Sequence, residues 1–189
     1  MKIKSIGFLA LALTAVGFVS CIDDENTDEA IFERDLKDIE EYVAESDMVN
    51  VKEFIDPVTG ISIIWQEVSA SGRAITRGDT ISTDYTGRFL NNAIFDTSID
   101  SVARANSLFD PRRSYVPLRF RTSSPTSRLL VVSGFEYGLV QLKQGEKATI
   151  LIPSAYAYGN NPPPNSGIPI NAPLIFEVKL IEVKAGPQQ

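Results

Sequence analysis

The segment PSAYAYGNNPPPNSGIPINAPLIFEV, Pro153 to Val178, opens with tyrosines at alternate positions, Tyr156 and Tyr158, ahead of Gly159. Pro162, Pro163, Pro164 and Pro169 follow, and the segment closes on the β-prone run Leu174, Ile175, Phe176 and Val178. Proline and glycine at this density cannot continue a helix or a central strand. The segment therefore reads as a loop of fixed shape between two strands. Loops longer than about a dozen residues are usually functional or disordered, and the aromatic and branched residues at both ends argue for function.

Upstream of this loop, Ala148–Ile152 reads as a strand. Ser133 and Glu136 have the spacing of a capping box. Phe135, Leu139 and Leu142 would give the buried face of a Ser133–Lys143 helix, which Gly145 stops. Ile61–Val68 reads as the first strand, with Trp65 packed in the core. Ser69–Gly78 is a polar connection, and Thr80–Tyr85 is a strand with Ile81, Thr83 and Tyr85 on one face. Tyr115–Arg121 alternates Val116, Leu118 and Phe120 as a further strand.

The 189 residues are 43% hydrophobic and 22% charged, with a formal charge of −6, no histidine and one cysteine, Cys21. One domain is the prior at this length. Without histidine, Ser-His-Asp and Cys-His machinery and His-ligated metal sites are excluded. With a single cysteine there is no intramolecular disulfide. An acidic chain without a basic patch argues against nucleic acid. No cofactor and no metal are expected.

Lys2 and Lys4 precede an apolar run, Ile6 to Val19, of about 14 residues, which suits a signal-peptide core rather than a membrane span. Gly17-Phe18-Val19-Ser20-Cys21 resembles a bacterial lipobox, so residues 1–20 read as a cleaved leader and Cys21 as the lipidated residue that anchors the chain. Asp23, Asp24 and Glu25 make residues 21–27 an acidic tether, or a surface-export tag like that of Bacteroidetes lipoproteins. Ile22 after the cysteine favours the outer membrane, on its periplasmic or its surface side.

Thr27 or Asp28 can cap a helix. Phe32, Leu36, Ile39 and Val43 then recur as one stripe on a helix of roughly five turns. The stripe packs back on the domain or supports a homodimer; packing is favoured because such helices rarely stay unpartnered. Asp56–Gly60 is a turn that closes an extension spanning residues 28–59.

Three blocks, in order, carry a family resemblance. They are DYTGRFLNNAIFDTS (Asp84–Ser98), VVSGFEYGLVQLKQGEKATILIP (Val131–Pro153), and AYAYG followed by GIPINAPLIFEVKLIEV. Together they resemble an FKBP-type peptidyl-prolyl cis-trans isomerase domain, here residues 60–189. The resemblance implies an α+β fold: an antiparallel sheet of about five strands wrapped around one short helix, preceded by the helical extension.

It also implies a site. Tyr85, Phe95, Asp96 and Tyr158 match the family's catalytic pocket positions. Leu118, Val131, Val132, Phe135, Ile168 and Phe176 match substrate-binding ones. The Val132 N–H stands where the family donates to the substrate carbonyl, and Ile168 corresponds to the apolar tip of the flap. The residues alone leave two plain readings open: Tyr85 as a satisfied core tyrosine, and Asp96 as a turn cap.

The family often pairs that aspartate with an arginine. The longer connection Ser98–Tyr115 offers Arg104, Arg112 and Arg113 without distinguishing them. Leu118 replaces a common pocket aromatic and Phe135 a common tryptophan. Thr122–Arg128 is a second, smaller expansion, and both insertions should border the pocket. The implied function is prolyl isomerisation of polypeptide substrates in the cell envelope. The alternative is a catalytically weak FKBP-like binding or chaperone module on a surface lipoprotein.

Overall fold

The computed structural model describes residues 27–123 and 131–186. The segment read as a leader, Cys21 and most of the Thr122–Arg128 expansion lie outside the described residues. The element order is α1 (Asp28–Glu45), β1 (Lys52–Ile55), β2 (Ser62–Glu67), β3 (Thr80–Arg88), β4 (Ile94–Thr97), α2 (Asp100–Ala105), β5 (Leu118–Arg121), α3 (Ser133–Leu139), β6 (Lys147–Ile152), a 3-10 turn (Ser154–Tyr156) and β7 (Leu174–Lys184). No helix among the described residues is long and apolar enough to cross a membrane.

The strands form one antiparallel sheet in the order β1-β2-β6-β7-β3-β4. β7 pairs with β3 from Thr80↔Lys184 to Arg88↔Ile175. The other edge of β3 is shared: β5 takes Thr80–Thr83 and β4 takes Thr86–Arg88. The α+β architecture is as expected, but the sheet has seven strands rather than about five. The additional strands are β1, which lies in the 28–59 extension and pairs with β2 as an edge strand, and the four-residue β4. β1 is exposed along its whole length, so it lacks the alternation that announces a strand.

The inner face of the sheet packs on α3. Ile63, Trp65, Ile81, Ile150, Ile152, Leu174, Phe176 and Val178 meet Phe135, Leu139 and Leu142. The outer face carries Ile64, Leu151 and Ile175, and Ile39 of α1 covers them. The central strands are thus buried on both faces, which is why they read as continuous apolar runs. The α1 stripe packs on this chain's own domain: Phe32 meets Tyr156 edge-on at 6.4 Å, and Ile39 is 3% exposed. Thr27 caps the helix, its Oγ1 accepting from the Ala30 N–H at 3.1 Å.

Three expectations about local structure are corrected. α3 ends at Leu139 rather than Lys143, and its N-cap is Val132 without a side-chain bond. Ser133 instead donates to the Tyr156 carbonyl, and Glu136 accepts from the Ser123 N–H, so the capping box does not form. The cause lies in the docking of the helix. A Cβ on Gly134 would lie 2.4 Å from Ile152 and one on Gly138 2.5 Å from Ile150. These glycines bring α3 so close to β6 that its polar side chains bond to neighbouring loops. Finally, β5 begins at Leu118, leaving Val116 61% exposed.

Carboxylates tie the loops to this frame. Glu146 accepts from Trp65 Nε1 (2.8 Å) and from the Ser69 and Lys143 N–H groups. Asp79 accepts from the Thr76 N–H and hydroxyl, from Arg73 and from the Gly186 N–H. Burial opposes its charge, but these donors together hold its carboxyl at about 2. A carboxyl lowered on folding adds stability that is complete above its unfolded value and is lost as pH falls toward the folded one. Stability is therefore expected to drop as pH falls from about 4 to about 2. Asp79→Asn should be less stable at neutral pH and show a shallower acid limb in urea melts against pH.

Candidate active site

The residues that converge here come from distant parts of the chain. β3 supplies Tyr85, β4 supplies Phe95 and Asp96, α3 supplies Phe135, and β7 supplies Phe176. Phe176 is the hub, with ring centroids 4.7 Å from Phe135, 5.7 Å from Phe95 and 6.3 Å from Tyr85. Tyr85 also meets Phe135 edge-on at 6.0 Å. Edge-to-face contacts of this kind add to the apolar burial. Gly87 makes the arrangement possible. A Cβ there would lie 2.5 Å from the Phe95 ring and 3.1 Å from Phe176, so only glycine lets the Phe95 ring cross β3.

Leu118, Val131, Val132 and Tyr158 are partly buried against the wider core that contains this cluster, and Ile168 is buried in that core. Ile168, expected at the tip of the flap, is turned onto the aromatic cluster, while Ile170 points outward at 66% exposure. Tyr85, Phe95, Phe135 and Phe176 thus meet in one aromatic cluster beside Asp96, and the remaining residues singled out in the sequence lie in or against the core that contains it.

Asp96 is locked in place. The Tyr85 hydroxyl donates to its Oδ2 at 2.6 Å, and Arg113 and the Thr97 N–H donate to its Oδ1. Arg113 also donates to the Tyr85 oxygen and the Thr97 carbonyl, each at 3.1 Å. Burial, and then the Asp96 carboxylate, push the Tyr85 phenol far above the ordinary tyrosine range. Asp96 raises the Arg113 guanidinium as well. With both oxygens engaged, Asp96 orients its neighbours and sets local charge rather than transferring protons.

Tyr158 and Val132 both pack against the core that holds this cluster. Burial, followed by the Asp96 charge, raises the Tyr158 phenol. Its hydroxyl makes no hydrogen bond among the described residues, and the Val132 N–H finds no acceptor among them. The candidate site is thus an aromatic cluster with a firmly held carboxylate beside it, and two donors against the same core are unengaged among the described residues.

Arg113 is the residue that sequence reasoning could not select. Its choice depends on the Ser98–Tyr115 insertion, which packs against itself. α2 carries the Asp100–Arg104 pair at 2.6 Å, and Arg104 lies 3.5 Å over the Phe109 ring. Phe109 stacks on Tyr115 at 5.5 Å, and Arg113 lies beside Tyr115. This column aims Arg113 at Asp96. The i,i+4 spacing of Asp100 and Arg104 was the readable sign of α2; nothing in the sequence marked the column itself.

A cleft of about 520 Å³ lies on the opposite face of the sheet, below the end of α1, lined by Tyr42, Met48, Gln66, Leu90 and Thr149 among others. Its Tyr42 hydroxyl is taken by Asn92 at 2.8 Å, and none of the site residues reaches it. The aromatic cluster is the better candidate because residues from β3, β4, α3 and β7 meet there beside the Asp96–Arg113 pair.

A short helix packed on one face of an antiparallel sheet, with an aromatic cluster between them, defines an α+β domain. A family model for the FKBP-type peptidyl-prolyl cis-trans isomerase matches residues 71–181, and the chain belongs to that family. It is 30% identical over 161 residues to the FKBP-type peptidyl-prolyl cis-trans isomerase FkpA of Escherichia coli, covering 85% of this chain and 52% of that protein. It is 29% identical over 127 residues to FK506-binding protein 4 of Chaetomium thermophilum, covering 67% of this chain and 22% of that one. The chain thus spans about half or less of the length of these curated relatives.

Among solved structures, FkpA from Escherichia coli matches with a TM-score of 0.59 at 28% identity, covering 85% of this chain and 62% of that one. A peptidyl-prolyl cis-trans isomerase from Pseudomonas syringae matches with a TM-score of 0.57 at 26% identity, covering 84% and 97%.

The charge network is open to a direct check. Asp96→Asn should lower the Tyr85 phenol toward the ordinary range, and Arg113→Met should raise it further, because the cation opposes the upward shift. NMR of ring-labelled tyrosine against pH measures both.

Proposed function

We propose that this protein is a peptidyl-prolyl cis-trans isomerase of the cell envelope that assists the folding of exported proteins. One observation carries the reading: Phe95, Phe135 and Phe176 meet Tyr85 in one aromatic cluster, and Tyr158 and Val132, whose hydroxyl and N–H are unengaged among the described residues, pack against the same core. A proline ring of a polypeptide substrate fits such a floor, and the two donors suit the carbonyls that flank it.

The X–Pro bond turns over a barrier of about 20 kcal/mol and takes tens of seconds or more unaided. Its stiffness comes from charge-separated amide resonance. The twisted transition state has lost that resonance and is less polar at the carbonyl. An aromatic, water-poor recess therefore disfavours the planar amide more than the twisted one. Each tenfold acceleration needs only about 1.4 kcal/mol of such preference. The chemistry requires no nucleophile, proton relay or metal, and this chain has no histidine to build the usual ones.

The envelope part of the proposal rests on the leader and Cys21. Acyl chains on one cysteine anchor a protein stably where a single chain would be marginal. On this reading, incorporation of labelled palmitate is lost in Cys21→Ser, and protease treatment of intact cells reports whether the domain faces outward.

Isomerase activity is measured as cis/trans exchange in X-Pro peptides with the full-length chain in detergent. Tyr158→Phe should lower kcat/KM about 3- to 10-fold, the worth of one net hydrogen bond. Asp96→Ala should lower it by about tenfold or more, because it frees both Tyr85 and Arg113. If both variants match the wild type, these residues are not the site. A folded wild type without any acceleration would leave the binding-module reading, with the Ser98–Tyr115 column as its recognition surface.

A further inference from the structure

We propose that α1 holds the pocket loop from behind, and that Arg34 and Asp35 are positioning residues for Tyr158 and Ile168. For its catalytic consequence the inference rests on the isomerase reading above; for the mechanical one it does not. The helix lies outside residues 71–181, the part that matches the family model.

The observation is a closed circuit of hydrogen bonds. The Ser154 N–H donates to Asp35 Oδ2 at 2.7 Å. The Gly159 N–H donates to the Ser154 carbonyl at 2.9 Å, and the Asn171 N–H to the Gly159 carbonyl at 2.7 Å. Arg34 Nη2 donates to the Asn171 carbonyl and to Asp35 Oδ1, each at 2.8 Å. Adjacent residues of one helix therefore hold the start and the end of the loop. Tyr158 lies between Ser154 and Gly159, and Ile168 lies on the arm that Gly159 and Asn171 close.

The placement of Asp35 is otherwise hard to explain. Its side chain is wholly buried, on a helix whose other acids are mostly exposed. A buried carboxylate is a poor way to gain stability, since an apolar residue of similar size often does as well or better. What it supplies is a fixed acceptor and a fixed direction. It orients the half-exposed Arg34, which then reaches the far end of the loop. Phe32 against Tyr156 adds an apolar contact on the same side. The pairing of Ile152 with Leu174 and the loop's own backbone bonds bring its ends together, and the helix adds a side-chain clamp on Ser154 and Asn171 from outside.

The test uses Arg34→Met and Asp35→Asn in the full-length chain, read by amide exchange at Gly159 and Asn171 and by X-Pro peptide kinetics. Arg34 is half-exposed, so Arg34→Met should fold with an unchanged thermal midpoint. It should speed exchange at the Asn171 amide about tenfold and raise KM about 3- to 5-fold, with kcat nearly constant, because substrate contact weakens uniformly. Arg34→Lys should restore part of both effects.

Asp35→Asn, which keeps an acceptor for Ser154 but loses the charge facing Arg34, should fall between wild type and Arg34→Met. Unchanged exchange in a folded Arg34→Met overturns the proposal, as does faster exchange with unchanged KM in an active enzyme. If the wild type accelerates no peptide, the isomerase reading fails, and exchange still decides whether the loop is held by the helix.

Discussion

The antiparallel pairing of β3 with β7 is the constraint on which the rest depends. It joins Thr80–Arg88 to residues almost a hundred positions away and runs the full length of β3. Through it Tyr85 stands opposite Val178 and Gly87 opposite Phe176, so the pocket motif of one strand and the pocket wall of the other share a face. The other edge of β3 then receives β5 and β4, which deliver Leu118, Phe95 and Asp96. Contacts of such sequence separation are entropically costly to form first. Once formed, they place most of the site without further choice.

The acidic character of the chain has a structural use. Asp35, Asp56, Asp79 and Glu146 all accept backbone N–H groups at loops or turns. Asp56 also accepts from the Tyr137 hydroxyl, which with the turn amides holds its carboxyl at about 2. These carboxylates supply acceptors where the backbone has none, much as helix caps do. Asp96 differs in being gripped by an arginine and a phenol, and it lies at the aromatic recess. Its environment sets the charge at the pocket edge, whereas the others hold loops in place.

Much of the fold was readable. The Phe32–Val43 stripe announced α1 and the face it buries. The strand cores of β2, β3, β6 and β7 were visible as apolar, β-branched runs. β1 and β4 were not, because four residues without alternating burial carry too little periodic signal. The capping box at Ser133 misled, because the close seat of α3 on β6 turned both of its partners toward other loops. Of the candidate site, Tyr85, Phe95, Phe135 and Phe176 were legible from the motif blocks, since each sits at a fixed register on a strand or helix, whereas Phe89, which packs on Phe95, was not singled out. Arg113 was not, because its position depends on how an insertion packs against itself.

The order of residues named the aromatic positions of the candidate site and excluded histidine chemistry there. These follow from residue type and short-range spacing, which no packing can alter. Tertiary structure alone decided that Arg113 rather than Arg104 or Arg112 meets Asp96, and that Ile168 turns inward while Ile170 turns out. It also decided that a helix outside the matched domain reaches both ends of the pocket loop. Each of these is a meeting between segments far apart in the chain. Its geometry is set by the twist and register of a sheet that exists only once all its strands have paired.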